Sequence, residues 1–346
     1  MAASENIELC KPEAPKNIAE AFLTLWGNGT SQKRSRSIAM EAYQRYQEKE
    51  RAAANQRGFH AGTGKAEEII CIAKKLAKGL SKEVVREDLG RDMDMSDQRE
   101  KLKRLDASIN LSATLLTMIC TDPPPRNRNV YCRRSVLSWE HGSLQDSLEM
   151  HFTSEVLLGH DVTLEKEFNV STFCRITGFS IDWTDNLIDH LHLDEDNQRL
   201  AIFHHASFLK CQQSNLFPPG LIDETLRTLA LFFPPHDSAM TAWVRQHPEC
   251  PKFDTELTKC RRLKPADRKI REFKYWHERL VAVKELYDET RPRTISQLWY
   301  DRRNMIQWCT FWVAIWLFIF AVAQIVQGVL QTYKAYHPTN ATKTQL

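Results

Sequence analysis

The stretch WCTFWVAIWLFIFAVAQIV, residues 308–326, sets the architecture of this 346-residue chain. None of its nineteen residues is charged, and ten of them are Leu, Ile, Phe or Val. A helix of this length extends for about 30 Å, the thickness of the hydrocarbon core of a bilayer. The ten apolar side chains favour insertion by about 3–6 kcal/mol. The sequence therefore predicts a transmembrane helix, which we place over residues 304–330.

The flanks of this stretch predict how the helix sits in the bilayer. Aromatic residues stand at both edges, and their amphipathic rings prefer the depth of the lipid headgroups. Arg302 and Arg303 precede the apolar run, whereas Lys334 follows it, so the basic charge is concentrated on the N-terminal side. The residues expected within the membrane include Trp308, Phe311, Trp312, Ile315, Trp316, Phe318, Phe320 and Ile325.

A single span close to the C-terminus predicts a tail-anchored protein. The first residues, MAASENIELCKPEAP, lack the charged and apolar regions of a secretory signal. The excess of basic residues before the span then places the N-terminal body in the cytosol, on the surface of an endomembrane or organelle. In this topology Asn340 is the one site among four Asn-x-Ser/Thr sequons that reaches the glycosylation machinery.

The cysteine pattern points to a reducing compartment. The chain has nine cysteines, an odd number, and no Cys-x-x-Cys pair. A small secreted disulfide scaffold would show a different pattern. We therefore expect free thiols that mainly fill the core.

The near-neutral net charge of +3 conceals two segments of opposite sign. Residues 145–205 hold twelve acidic and three basic residues, a net charge of −9. Residues 252–303 hold fifteen basic and nine acidic residues, a net charge of +6. Each segment is either a contact surface, for a partner or for lipid headgroups, or one half of a fold in which the two neutralise each other. The overall charge does not mark a nucleic-acid-binding protein.

Hydrophobic periodicity predicts a mostly α-helical body. Ile69, Ile72, Ala73 and Leu76 recur at the spacing of one helix face, and Gly79 is a typical helix end. In contrast, HLHLD (190–194) and RLAIFHH (199–205) alternate around a polar turn and predict a β-hairpin. Further helices are predicted at residues 37–57, 107–119, 164–178, 184–191, 221–233 and 267–290.

Helix, helix, hairpin is the order of a winged-helix unit, so the predicted fold includes a small α+β, winged-helix-like part. The proline-rich breaker TDPPPRNRN, residues 121–129, marks the main boundary. The predicted division is a polar, partly disordered region (1–60), a helical domain (61–122), a linker (123–134), the winged-helix-like domain (135–246), a basic juxtamembrane helical region (247–303), the membrane helix (304–330) and a short lumenal or exoplasmic tail (331–346).

Four histidines near the predicted hairpin are candidate metal ligands. His190, His192, His204 and His205 lie among several aspartates, and two imidazoles with one carboxylate would suit zinc. Leucines interleave with the first pair, however, and histidine is a common half-buried residue of strands. We favour this second interpretation and assign no cofactor.

Two other motifs suggest nucleotide or nucleic-acid binding. The string GTGK, residues 62–65, lacks the upstream glycine spacing and the Ser/Thr of a phosphate-binding loop. Residues 72–90 have the residue spacing of a helix-turn-helix. In the second of its two helices, however, Lys82 and Arg86 lie among three acidic residues. This balance suits a phosphate backbone poorly, so an ordinary helical hairpin is favoured. Nucleic acid is therefore an unlikely partner, and the alternative function is a nucleic-acid-binding regulator that uses residues 72–90 or the winged-helix-like unit. No catalytic signature supports an enzyme.

Several strings resemble an uncharacterised family of fungal membrane-anchored proteins. They are WTDNLIDHLHLD, IFHHASFL, LFPPGLIDETLRTLALFFP, and LWYDRRNMIQWCTFWVAIW followed by YKAYHP. The resemblance covers about residues 65–337 and implies a C-terminal membrane helix. It implies no activity, cofactor or catalytic residue. The function expected from the sequence is an interaction or scaffold module that is held on a membrane and contacts lipid and a protein partner.

Overall fold

Helices account for most of the chain that the computed structural model describes. The described residues are 18–27, 33–56, 66–91, 97–122, 135–153, 162–213, 215–235, 237–246, 254, 256–290 and 305–336. The predicted fold class is confirmed in its coarse form: a mostly helical body, a small three-stranded sheet and one apolar C-terminal helix. The predicted linker, residues 123–134, lies outside the described residues.

The helices of the body are α1 (Ile18–Trp26), α2 (Lys33–Gln56), α3 (Ala66–Ala77), α4 (Lys82–Arg91), α5 (Gln98–Thr117), α6 (Leu144–His151), α7 (Val170–Thr177), α8 (Ala206–Cys211), α9 (Leu221–Phe232), α10 (Ser238–Gln246) and α11 (His277–Glu289). The strands are β1 (Ser180–Thr184), β2 (Leu193–Asp194) and β3 (Arg199–Phe203), and the C-terminal helix is α12 (Met305–Tyr336). Buried side chains from α1 through α11 form one contiguous core.

The predicted helix around Ile69 is confirmed as α3, whose apolar face is fully buried. The helix predicted at residues 107–119 is α5, but it begins nine residues earlier, at Gln98. Asp97 causes this earlier start, because its carboxylate accepts hydrogen bonds from the free amide groups of the first turn.

Three aromatic side chains from α1 and α2 bind the backbone carbonyl groups at the C-terminal end of α5. The last carbonyl groups of a helix have no partner within the helix. Trp26, Tyr43 and Tyr46 donate side-chain hydrogen bonds of 3.0, 3.0 and 3.2 Å to the carbonyl oxygens of this last turn, in Leu116, Leu115 and Thr114 respectively. These contacts fix α2 against the body, and α2 then contributes residues to the site described below.

The sheet has the strand order β1–β3–β2. β2 and β3 form the predicted hairpin, with Leu193 opposite Leu200. The helix predicted at residues 184–191 is wrong. Residues 180–184 instead form β1, parallel to β3, and residues 187–189 make one 3-10 turn. Leu191 follows with a left-handed φ of 58°, which ends any helix there. The winged-helix-like arrangement stays a prediction.

Two further predicted helices are shorter than expected. The helix predicted from residue 164 begins at Val170, because Asn169 caps it and the preceding backbone pairs with residues 268–270. The helix predicted from residue 267 begins at His277. Here the buried carboxylate of Glu224 accepts the amide hydrogens of residues 274–276 at 2.7–2.8 Å, so they are not available for helical bonds.

The acidic and basic segments contact each other within the body. The ammonium group of Lys284, which is buried, lies 3.3 Å from the carboxylate of Glu165. Arg279 donates hydrogen bonds of 2.6 Å to the carbonyl oxygens of Ile188 and His190. These contacts join the two segments within the fold, Lys284 through an ion pair and Arg279 through neutral carbonyl groups.

The expectation of free thiols is wrong for Cys71, which is disulfide-bonded, and disulfides are rare in the reducing compartment that the cysteine pattern predicted. This residue is half-buried beside the core-facing stripe of α3, rather than sealed within it. The other cysteines of the described residues are free thiols, namely Cys120, Cys174, Cys211, Cys260 and Cys309.

The C-terminal helix α12 contains the predicted membrane segment. Its residues Trp308–Tyr336 make it the one helix of the described residues that is long and apolar enough to cross a membrane. None of its most apolar stretch is buried, and Phe318 is 71% exposed. Lys334 is an exposed residue of the last turn. The flanking Arg302 and Arg303 and the sequon at Asn340 lie outside the described residues.

Candidate histidine–aspartate site

The parallel pairing of β1 and β3 brings three polar residues together. Thr184, the last residue of β1, lies opposite Phe203, the last residue of β3. The next residues, Asp185 and His204, therefore leave the sheet side by side, and His205 follows. Because the carboxyl ends of parallel strands meet at one edge, two segments twenty residues apart form a single cluster.

Both imidazoles converge on one carboxylate oxygen. His204 Nε2 lies 3.1 Å and His205 Nε2 lies 2.8 Å from Asp185 Oδ1. The two rings face each other with centroids 4.1 Å apart. Both histidines are buried, and the side chain of Asp185 is 11% exposed. The ligand atoms of all three residues lie within 4.8 Å of one another.

Helix α2 covers the cluster from a second direction. Tyr46 packs the edge of its ring against His205, with centroids 5.7 Å apart. One helical turn away, Lys49 forms a salt bridge with the second carboxylate oxygen, Asp185 Oδ2. The lysine side chain is 48% exposed, so this pair lies at the border between the cluster and solvent.

The electrostatics of the cluster favour an ionised carboxylate and a neutral His204. Burial opposes the charge of Asp185, but the hydrogen bonds from both histidines outweigh it and hold the pKa well below its usual range. Burial lowers the pKa of His204, and the neighbouring His205 lowers it further, against the opposing effect of Asp185 and Asp254. At neutral pH His204 Nε2 therefore donates its proton to a charged acceptor.

The structure separates the other two predicted histidines from this cluster. His190 is buried, accepts a hydrogen bond from the Phe203 amide at Nδ1, and lies 2.7 Å from Thr228 Oγ1 through Nε2. Both of its nitrogens are therefore engaged. His192 is exposed on the hairpin. Of the four candidate histidines, His204 and His205 therefore lie together. His190 has a structural role, and His192 lies on the surface.

Asp185 is the member of the cluster that the sequence did not indicate. The aspartates considered with the histidines have other roles: Asp189 accepts from Ser135 and Asn186, and Asp194 accepts from Asn197 in the hairpin turn. The sequence pattern places Asp185 in the predicted helix at residues 184–191. Recognising β1 as a strand parallel to β3 would have placed Asp185 beside His204, and no local motif carries that information.

Two cysteine thiols among the described residues of the body are not activated. Burial raises the pKa of the Cys174 thiol to about 12 and that of Cys260 to about 11, so neither is a ready nucleophile. The GTGK string at 62–65 lies outside the described residues. Comparison with protein-family models, curated proteins and solved structures gives no match to this chain.

Proposed function

We propose that this chain is a tail-anchored, single-pass membrane protein whose helical body is displayed on the cytosolic face of an endomembrane or organelle and binds a protein partner there. The supporting observation is α12, an apolar helix that the body leaves uncovered. Apolar helices of soluble proteins are mostly buried, and signal sequences lie near the N-terminus. α12 is unburied and follows the whole body, so it has neither property.

The free energy of transferring its apolar side chains out of water supports a lipid environment for α12. Its large side chains are exposed, including Leu317 at 64% and Ile325 at 66%. Moving one such side chain from water into an apolar phase is worth about 1.5–3 kcal/mol. A helix of 32 residues extends for about 48 Å, enough to cross the hydrocarbon core with its ends among the headgroups.

The charges of the α3–α4 hairpin weigh against nucleic acid as a partner. Lys82 is buried and donates hydrogen bonds to Asn110 and to the carbonyl oxygen of Trp139. The basic groups of Lys75 and Arg86 are paired with carboxylates of the body, which belong to Asp88 and Asp106 respectively. A helix-turn-helix needs such groups on its surface to contact phosphates.

Membrane attachment is tested with the full chain carrying an N-terminal fluorescent protein. We expect it to sediment with membranes, to resist alkaline carbonate extraction, and to leave the fluorescent protein open to protease added outside intact vesicles. Ile315→Arg with Phe318→Arg costs about 5–7 kcal/mol at the centre of the span and should release the chain. The matched control Gln331→Arg with Thr332→Arg, near the end of α12, should stay in the membrane.

Four outcomes contradict the proposal in different parts. Extraction of the wild-type chain by carbonate would contradict insertion, and protection of the fluorescent protein would contradict the orientation. Salt-dependent binding of duplex DNA by the full chain in detergent would favour the nucleic-acid-binding regulator instead. A protein partner is tested by crosslinking on isolated membranes, where a defined heteromeric product is expected and its absence contradicts the interaction.

A further inference from the structure

We propose that Asp185, His204 and His205 form a binding site for a divalent transition metal ion, with zinc as the best-fitting ion. The proposal is independent of membrane attachment. It rests on three ligand atoms that converge at one edge of the sheet: Asp185 Oδ1 and the Nε2 atoms of the two histidines. Imidazole nitrogen and carboxylate oxygen together are a common zinc ligand set.

The spacing of the ligand atoms fits a tetrahedral ion. Zinc binds nitrogen and oxygen at about 2.0–2.1 Å, so neighbouring ligands of a tetrahedral site lie about 3.3 Å apart. The two nitrogen-to-oxygen distances of the cluster are 3.1 and 2.8 Å. Each nitrogen-to-oxygen pair therefore needs to separate by only a few tenths of an ångström, and the two nitrogens lie within 4.8 Å of each other. A water molecule would complete the coordination.

Each ligand is held by the fold before any ion arrives. Asp185 follows the last ladder pair of β1, while His204 and His205 join β3 to α8. Lys49 binds Asp185 Oδ2 and leaves Oδ1 directed at the imidazoles. Supporting contacts of this kind orient carboxylate ligands in metal sites.

The surroundings of the cluster also suit a buried ion. The rings of Tyr46, Trp183 and Phe203 lie against the histidines, with centroids 5.4–6.3 Å away. This apolar shell limits solvent access to the coordinated ion. Buried Asp254 adds a second negative charge near His204. The exposed part of Lys49 marks the side from which an ion enters.

Binding needs a proton to move on each histidine but requires no other reactant. In the cluster His204 Nε2 donates to the carboxylate, whereas a metal ligand must present the lone pair of that nitrogen. The proton therefore shifts from Nε2 to Nδ1 as the ion replaces the hydrogen bond, and the imidazole stays neutral. The same change applies to His205. The carboxylate is already ionised.

The test uses the full chain without an affinity tag, purified in detergent and treated with chelator. We expect one equivalent of Zn²⁺ by calorimetry, and the intense visible absorption of tetrahedral cobalt when Co²⁺ is added instead. Asp185→Asn and His205→Ala each remove a ligand and should lower zinc affinity by about 100-fold or more, beyond the effect of an outer contact. His192→Ala removes an exposed histidine nearby and should leave affinity unchanged.

Two results would overturn the metal site. One is equal zinc affinity of the wild-type chain and Asp185→Asn, both with unchanged far-ultraviolet circular dichroism. The other needs no variant: a folded wild-type chain that gives no tetrahedral cobalt absorption. In either case the cluster is a polar crosslink among α2, β1 and α8.

Discussion

Asp185 Oδ1 and His205 Nε2 are hydrogen-bonded at 2.8 Å, although twenty residues separate them along the chain. The contact exists because β1 and β3 run parallel and end at the same edge of the sheet. This hydrogen bond joins the end of β1 to the start of α8. The salt bridge between Lys49 and Asp185 adds a contact from α2. The cluster is therefore both a structural crosslink and the place where this fold gathers metal-binding groups.

Acid should destabilise the body through His190. Burial, followed by the charge of Arg279, lowers the pKa of this imidazole from 6.5 to about 3. Between these pH values the unfolded chain binds a proton that the folded chain does not. The free energy of unfolding should therefore fall as pH falls from 6.5 towards 3, by about 1.4 kcal/mol per pH unit from this group.

Urea unfolding of the full chain in detergent at several pH values measures this effect. His190→Gln keeps an acceptor for the Phe203 amide and a donor for Thr228, but it cannot titrate. It should therefore reduce the slope of stability against pH over this range. His192→Gln, at the exposed position two residues along, is the control and should keep the slope. An unchanged slope in His190→Gln would show that other groups carry the acid sensitivity.

Removing the carboxylate of Glu224 should destabilise the start of α11. Three buried or half-buried amide groups, at residues 274–276, donate to it. Each donor left without a partner costs about 1–3 kcal/mol, so Glu224→Ala should lower the free energy of unfolding by about 3 kcal/mol or more. Glu224→Gln retains one acceptor oxygen and should lose less. Exposed Asp223→Ala, next to it on α9, should change stability by less than about 0.5 kcal/mol. Equal stability of the three variants would contradict this role.

The hydroxyl of Tyr43 should contribute measurably to stability. It is buried and donates to the carbonyl oxygen of Leu115 at 3.0 Å. Tyr43→Phe removes the donor and keeps the ring, so a loss of about 1 kcal/mol is expected in urea unfolding. Tyr275 makes a similar bond to Pro219, at 2.9 Å, but on the surface. Tyr275→Phe should therefore cost less, and the reverse order would contradict the role of Tyr43 in completing α5.

Glycosylation offers an independent test of the orientation. If the tail crosses an endoplasmic reticulum membrane, a glycosidase-sensitive shift should appear in the wild-type chain and disappear in Asn340→Gln. The asparagines of two other sequons have structural roles in the body. Asn110 forms hydrogen bonds with Lys82 and Asp122, and Asn169 caps α7. A shift that persists in Asn340→Gln would place a glycan on the body and reverse the topology.

Local sequence patterns predicted the elements whose stability is local. The apolar face of α3 and the hairpin of β2 and β3 follow directly from residue spacing. The predictions failed where a distant group competes with local propensity. Glu224 takes the amide hydrogens that would have extended α11, and pairing with β3 makes Thr184 the end of a strand where the sequence predicted the start of a helix. Such contacts leave no periodic signal in the segment they change.

The same division applies to function. The sequence by itself determined that this chain has a C-terminal helix able to span a bilayer, because length and apolarity are properties of one continuous segment. Only the tertiary structure decided which histidines lie together and that Asp185 is their partner. Strand pairing selects these neighbours by position in the sheet, whereas His190 binds Thr228 and the Phe203 amide and His192 is exposed.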